Sequence, residues 1–139
     1  MAHVNIVGDG PGGLSAALFL AKNGHEVAVY GQDKTAMHFA HIHNYLGIPE
    51  IAGSDFQEIA RDQVKSFGAQ IIDEEVTAVA TGDRFVVTTA SGESASDYLI
   101  LTEGKSPDLA RTMGLAEGET GAITVDGVSS VVDRLTLKM

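Results

Sequence analysis

Apolar and polar positions alternate along the chain in blocks that spell out its elements in order. Val4 to Val7 is a short apolar run headed by His3, long enough for a strand and too short for a helix. Gly8-Asp9-Gly10-Pro11-Gly12-Gly13 follows, and Leu14 to Ala21 then has the unbroken small and apolar character of a helix packed closely on something. Asn23-Gly24 closes that helix, with glycine in its usual place after a C-terminus. Glu26 to Tyr30 is a second, Val-rich strand. The order is therefore strand, glycine turn, helix, strand.

Gly31 to Gly53 has no period and reads as irregular. Ser54 is a candidate N-cap for a helix running to about Phe67, with Phe56, Ile59, Ala60, Val64 and Phe67 on one stripe and Gly68 as the stop. Gln70 to Val79 reads as one strand despite Asp73, Glu74 and Glu75. Arg84 to Ala90 and Ser94 to Leu101, joined at Ser91-Gly92, predict a hairpin. Leu99-Ile100-Leu101 is apolar throughout, as a strand buried on both faces would be. Pro107 to Met113 suggests a short helix, and Ala122 to Val125 and Arg134 to Leu137 suggest final strands. No repeat, low-complexity tract or linker interrupts the pattern. The expectation is one α/β domain, 1–139, with a parallel sheet and an added antiparallel β-hairpin or meander.

Gly8-x-Gly10-x-x-Gly13 gives that architecture a chemistry. In a Rossmann-like unit the first glycine permits the tight turn out of the strand. The second lets a pyrophosphate approach the backbone, and the third lets helix and sheet pack closely. The pyrophosphate would rest on the N–H groups and positive dipole end of the following helix. Pro11 suits this place, since its missing N–H matters little in a first turn. Glycine-rich turns are common and the motif alone is weak, but here a strand precedes it and a helix and a second strand follow. The carboxylate that should hold a ribose is expected just past the second strand. Residue 31 is glycine, so Asp33 is the candidate, with a solvated loop acid as the alternative.

Composition narrows the partners. The chain has 139 residues, 44% of them hydrophobic, and a net charge of −10 from 19 acids and 9 bases. With no basic patch to release counterions, neither nucleic acid nor an anionic membrane is an expected partner. Acidity fits either a solvated surface or a high-salt habitat. No apolar run approaches the roughly 20 residues of a membrane span, and no basic n-region marks a signal peptide, so the expected compartment is the cytoplasm. There is no cysteine, which removes disulfide, thiolate-metal and thiol chemistry from these residues.

Gly8 to Ala17, in Gly8-Asp9-Gly10-Pro11-Gly12-Gly13-Leu14-Ser15-Ala16-Ala17, resembles the opening of thioredoxin reductases and their relatives in the pyridine nucleotide-disulfide oxidoreductase family. Asn44-Tyr45-Leu46-Gly47-Ile48-Pro49 resembles that family's "NYPGFP" segment. Phe67-Gly68-Ala69 followed by Asp73 to Thr77 is similar to its third strand and approach, and Leu99 to Gly104 lies where the family has an "ATG" turn. The resemblance covers residues 3 to about 104. It implies an FAD-dependent oxidoreductase fold in which Gly8, Gly10, Pro11, Gly12 and Gly13 line the pyrophosphate, an acid after the second strand meets the adenosine ribose, Val76 lies near the adenine, Asn44 lies toward the flavin and Gly104 belongs to the phosphate-side turn.

The departures from that family are specific. Its ribose acid falls at Gly31. Its "ATG" turn is Thr102-Glu103-Gly104, which sets a carboxylate where phosphates are expected. There is no CxxC, and the family's second nucleotide domain has no counterpart in these residues. The sequence ends at Arg134 to Met139, about where the family's last strand falls, so the domain reads as C-terminally short and a flavin would lack part of its cradle. The alternative is a non-catalytic dinucleotide-binding module or partner subunit, for FAD or, less so, NAD(P). A homodimer that completes the cradle is a further possibility; the redox partner is unknown, and no catalytic residue is assigned.

His38, His41 and His43 lie close in sequence. They are read as surface or packing side chains, with a proton donor facing a flavin as the alternative. No metal site is expected: cysteine is absent and the nearby carboxylates are not at motif spacing. Asp73-Glu74-Glu75 on a strand would point to opposite faces and cannot converge as an acid–base pair.

Overall fold

The computed structural model describes residues 1–104, 108–114, 116–117, 122–125 and 128–131. In chain order the elements are β1 (His3–Val7), α1 (Pro11–Lys22), β2 (Glu26–Tyr30), a 3-10 turn (Ala36–Phe39), β3 (His41–Ile42), β4 (Ile51–Ala52), α2 (Gly53–Ser66), β5 (Gln70–Ile72), β6 (Ala78–Ala80), β7 (Phe85–Thr89), β8 (Gly92–Ser96), β9 (Tyr98–Leu101), α3 (Asp108–Thr112), β10 (Ala116–Glu117), β11 (Ala122–Val125) and β12 (Val128–Val131). A parallel sheet of order β5-β2-β1-β9 forms the centre. The meander β6-β7-β8 is antiparallel and links β5 to β9, β3 and β4 form a two-stranded ladder, and β10-β11-β12 form a further antiparallel sheet.

Alternation along each central strand sorts side chains between two cores. Val4 and Ile6 of β1 and Val27 and Val29 of β2 share one face, where they pack with Leu14 and Ala17 of α1 and Val64 of α2. Val7, Ala28 and Tyr30 take the other face, against Val87 of the meander and Leu109 of α3. Asn5 falls on this second face at the centre of the sheet, fully buried, and its amide donates toward the backbone carbonyl and hydroxyl of Ser94. Both faces of the parallel sheet are thus covered, as such sheets require. Among the described residues no helix is long and apolar enough to cross a membrane.

Three elements differ from expectation. The segment Gln70 to Val79 is two strands, because the chain leaves the parallel sheet at Ile72 and joins the meander at Ala78. Between them the acids stay outside any ladder, where charge need not be desolvated. The segment Ser94 to Leu101 also divides. Its first half, β8, pairs with β7, and its second, β9, lies parallel to β1 with Val4 opposite Tyr98. The break falls at Asp97, where the buried Ser96 hydroxyl donates to the Tyr98 carbonyl at 2.8 Å. Leu99 and Leu101 pack on one core and Ile100 on the other, all half-buried. Finally, α2 begins at Gly53 with Ala52 as N-cap and no side-chain cap, so Ser54 is not the cap. Its buried positions are Gly53, Gln57 and Val64, while Ile59 and Phe67 are exposed. The expected helix at 107–113 is seen as α3, the strand at 122–125 as β11, and the strand expected at 134–137 lies outside the described residues.

Asp97 fixes the β8–β9 corner to the start of β1. Its carboxylate accepts the His3 backbone N–H at 2.8 Å and faces Arg84 Nε at 3.4 Å. That backbone hydrogen bond first, and the Arg84 charge second, hold the Asp97 carboxyl below its ordinary value. A lowered folded-state pKa makes the contribution present above about pH 4 and lost as pH falls through the folded value. Asp97→Asn should therefore flatten part of the loss of stability between about pH 5 and pH 3, as read by urea unfolding at each pH.

Candidate functional site

The carboxyl ends of β1, β2 and β9 converge. The chain runs from β1 outward through β2 to β5, then returns to the other side of β1 as β9, so β1 and β9 flank a topological switch point, where open α/β sheets bind ligands. Backbone hydrogen bonds carry the sheet past its formal ends: Gly8 N–H donates to the Tyr30 carbonyl at 2.8 Å, Gly31 N–H to Ile72 at 3.0 Å, and Thr102 N–H to Val7 at 2.8 Å. The Thr102 hydroxyl donates to the Val7 carbonyl at 2.8 Å and lies 3.1 Å from that of Gly8.

The glycines of the loop divide by what surrounds them. Gly8 has φ +104°, and a Cβ there would lie 2.1 Å from the Thr102 carbonyl oxygen. A Cβ on Gly13 would lie 1.9 Å from the Gly8 carbonyl oxygen. Internal packing therefore fixes these two. A Cβ on Gly12 would meet nothing nearer than the Thr102 side chain at 3.9 Å, and one on Gly10 only Thr35, at 3.1 Å. The backbone lies open at Gly12, whereas a side chain at Gly10 would crowd the Thr35 hydroxyl. Helix α1 starts at Pro11 with Gly10 as N-cap, no side chain caps it, and its first turn carries no acid. An uncapped helix N-terminus beside open backbone is an anion site.

A charged cluster braces the loop from the β2 side. Asp9 is buried, and its carboxylate accepts the Asp33 backbone N–H at 3.0 Å and pairs with the Arg61 guanidinium. Its carbonyl accepts from Gln57 Nε2 at 2.5 Å. A Cβ on Gly31 would lie 2.3 Å from the Asp9 Cγ, so the Asp9 carboxyl occupies the space a side chain at 31 would need. The carboxyl nearest the end of β2 is therefore that of Asp9, from the glycine loop. It is enclosed there, whereas that of Asp33 is half exposed. Asp33 has φ +56°, a left-handed conformation that aspartate tolerates better than most residues. Its Oδ1 lies 3.0 Å from His38 Nε2 and 4.0 Å from Arg61. Asp33, His38, Ser54, Arg61 and Lys65 line an open polar pocket of about 390 Å³ off the end of β2.

The other residues expected at the site are placed as follows. Val76 is buried in the second core, so its side chain is a packing contact. Asn44 is exposed in the turn between β3 and β4. Gly104, φ +74°, is exposed after β9. The carboxylate of Glu103, expected near phosphates, instead accepts the Leu109 and Ala110 N–H groups at 2.8 and 3.2 Å and caps α3. His38 stands with Asp33, apart from His41 and His43, because residues 36–39 form a 3-10 turn and residue 41 begins a strand. The sequence assigns no site role to Asp9, Gln57 or Arg61, and reads Thr102 only as part of a turn. An aspartate inside the glycine motif was the one visible signal; the partners on α2 and after β9 are long-range.

Known proteins share this fold. The sequence pattern of the family described as Pyridine nucleotide-disulphide oxidoreductase matches residues 2–137. A thioredoxin reductase from Streptomyces clavuligerus is 32% identical over 134 residues, covering 91% of this chain and 40% of that protein. Among solved structures, an atypical thioredoxin reductase from Desulfovibrio vulgaris Hildenborough superposes with a TM-score of 0.71 at 35% identity, over 76% of this chain and 37% of that one. A thioredoxin reductase from Gloeobacter violaceus gives 0.72 at 26% identity, over 83% and 40%. The chain spans about two fifths of the length of the curated relatives it matches.

Proposed function

Since the chain belongs to the pyridine nucleotide-disulphide oxidoreductase family, we propose that residues 1–139 are a single FAD-binding unit of a thioredoxin reductase-like, FAD-dependent oxidoreductase. One observation carries the reading: the uncapped N-terminus of α1, with open backbone at Gly12, lies at the switch point of the sheet. A dinucleotide pyrophosphate fits it, because two anionic groups would satisfy backbone donors that no side chain reaches.

In this reading Gly8, Gly10, Pro11, Gly12 and Gly13 form the pyrophosphate cradle, and the half-exposed carboxylate of Asp33 holds the adenosine ribose. Asp9 is a positioning residue, holding the Asp33 backbone in its left-handed conformation. Val76 contributes backbone near the adenine, Asn44 lies toward the flavin, and Gly104 keeps the turn after β9 free of side chain. The capping of α3 by Glu103 supports this, since it turns a negative charge away from the phosphates. Bound flavin would supply the redox chemistry, and the protein would orient it. These residues hold no cysteine, so any disulfide step would need a thiol from elsewhere. We place the protein in the cytoplasm. A homodimer belongs to the same proposal, supported by the exposure of Phe19, Phe39, Tyr45 and Leu46; sizing chromatography checks it.

The test is the visible spectrum of the purified chain after incubation with FAD and passage through a desalting column. Retained flavin bands, lost in an Asp33→Ala variant of unchanged fold, are the expected result. A colourless protein that instead binds NAD(P) in calorimetry would move the assignment to a dinucleotide-binding module without flavin chemistry.

A further inference from the structure

The short ladder of β3 and β4 leads directly into α2, and its outer face carries chemistry that the flavin reading does not use. His41 pairs with Ala52 and Ile42 with Ile51, and a bridge between Tyr45 and Ile48 closes the tip. Ile42 is buried, so the residues on either side of it, His41 and His43, point outward together. Continuing the register by one rung sets Glu50 opposite His43, on the same outward face. The side chains confirm that placement. His41 Nε2 lies 2.5 Å from Glu50 Oε1, and the His41 and His43 ring centroids are 5.3 Å apart. One ligand atom from each of the three residues falls within 4.8 Å of the others.

Two imidazoles and a carboxylate make the donor set that suits divalent first-row transition ions, whereas calcium and magnesium favour oxygen-only sites. Four-coordinate zinc, with bonds of about 2.1 Å, needs its ligand atoms roughly 3.4 Å apart. The three side chains bracket that separation and, being exposed, can adjust to it without disturbing the core. Sequence spacing hid the set because Glu50 joins the histidines only through the turn of the hairpin.

We propose that His41, His43 and Glu50 bind one divalent transition-metal ion of the zinc type, with solvent completing its coordination. The ion would staple the two strands of the hairpin across their outer face. The site is independent of the flavin assignment and stands or falls without it.

Titration of the full chain, free of any polyhistidine tag, with Co²⁺ tests this. One equivalent should give the intense visible bands of a low-coordinate Co²⁺ site, and Zn²⁺ should bleach them. His43→Ala and Glu50→Gln, with circular dichroism unchanged, should each weaken binding by about tenfold or more. His25→Gln, at a histidine engaged with the Ala2 N–H far from this ladder, should leave it intact. Absence of the bands, equal binding in His43→Ala, or equal competition by Ca²⁺, as expected of general attraction to an acidic chain, would overturn the proposal.

Discussion

Gly13→Ala is expected to destabilise the protein by about 3 kcal/mol, at the upper end for overpacking, and to abolish flavin retention. The added methyl would lie 1.9 Å from the Gly8 carbonyl oxygen and 2.8 Å from the Thr102 hydroxyl. Both neighbours are held: the Gly8 N–H bonds to β2, and Thr102 bonds back to the end of β1. Relief must therefore come from α1, which would lift Leu14 and Ala17 away from Val4 and Ile6. Thermal unfolding should show a loss of roughly 10 °C. Gly12→Ala separates stability from binding. Its methyl has no neighbour closer than 3.9 Å and sits in the first turn of a helix, so stability should hold or rise by a few tenths of a kcal/mol. The methyl would nonetheless stand on the open side of the cradle, and FAD should be retained less well. Equal retention by Gly12→Ala and the parent would remove the cradle from the argument.

The contrast between Gly8 and Asp9 shows what a sequence can declare. The glycine motif is legible because each glycine answers a requirement of local backbone, within a strand–turn–helix a few residues long. Asp9 sits inside the same motif, yet its role depends on Arg61, some fifty positions away, and on the absence of a side chain at Gly31. Hydropathy likewise assigns Gln57 to the surface and Ile59 to the core; the structure reverses them, because Gln57 is drawn inward by the Asp9 carbonyl. The strand breaks at 73–77 and at Asp97 were hidden for another reason. Alternation has the same period in parallel and antiparallel ladders, so it does not show where a chain changes sheets. The hairpin was legible as β7 and β8, but the return of β9 to β1 was not.

Arg61→Met should cost about 3 kcal/mol, because it leaves the Asp9 carboxylate enclosed with one neutral donor, the Asp33 N–H. The side chains of Arg61 and Asp9 are 18% and 7% exposed, so solvent can screen little of the loss. Asp9→Ala should cost less, on the order of 1–2 kcal/mol, since the freed guanidinium can reach water and the neighbouring Asp33 carboxylate, 4.0 Å away. With both replaced, no enclosed charge remains, and the double variant should be no less stable than Asp9→Ala alone. Denaturant unfolding of the four proteins then gives a coupling of about 3 kcal/mol; additive losses would mean that the pair does not brace the loop. The nucleotide responds differently. Arg61→Met leaves Asp9 still accepting from Asp33, so flavin affinity measured where both proteins are folded should change little. Asp9→Ala removes the acceptor that holds Asp33 at φ +56°, and affinity should fall by roughly tenfold, the loss of one charge-assisted hydrogen bond. Stability would then follow the arginine and affinity the aspartate, as required if one buried carboxylate both neutralises Arg61 and aims the ribose-binding residue.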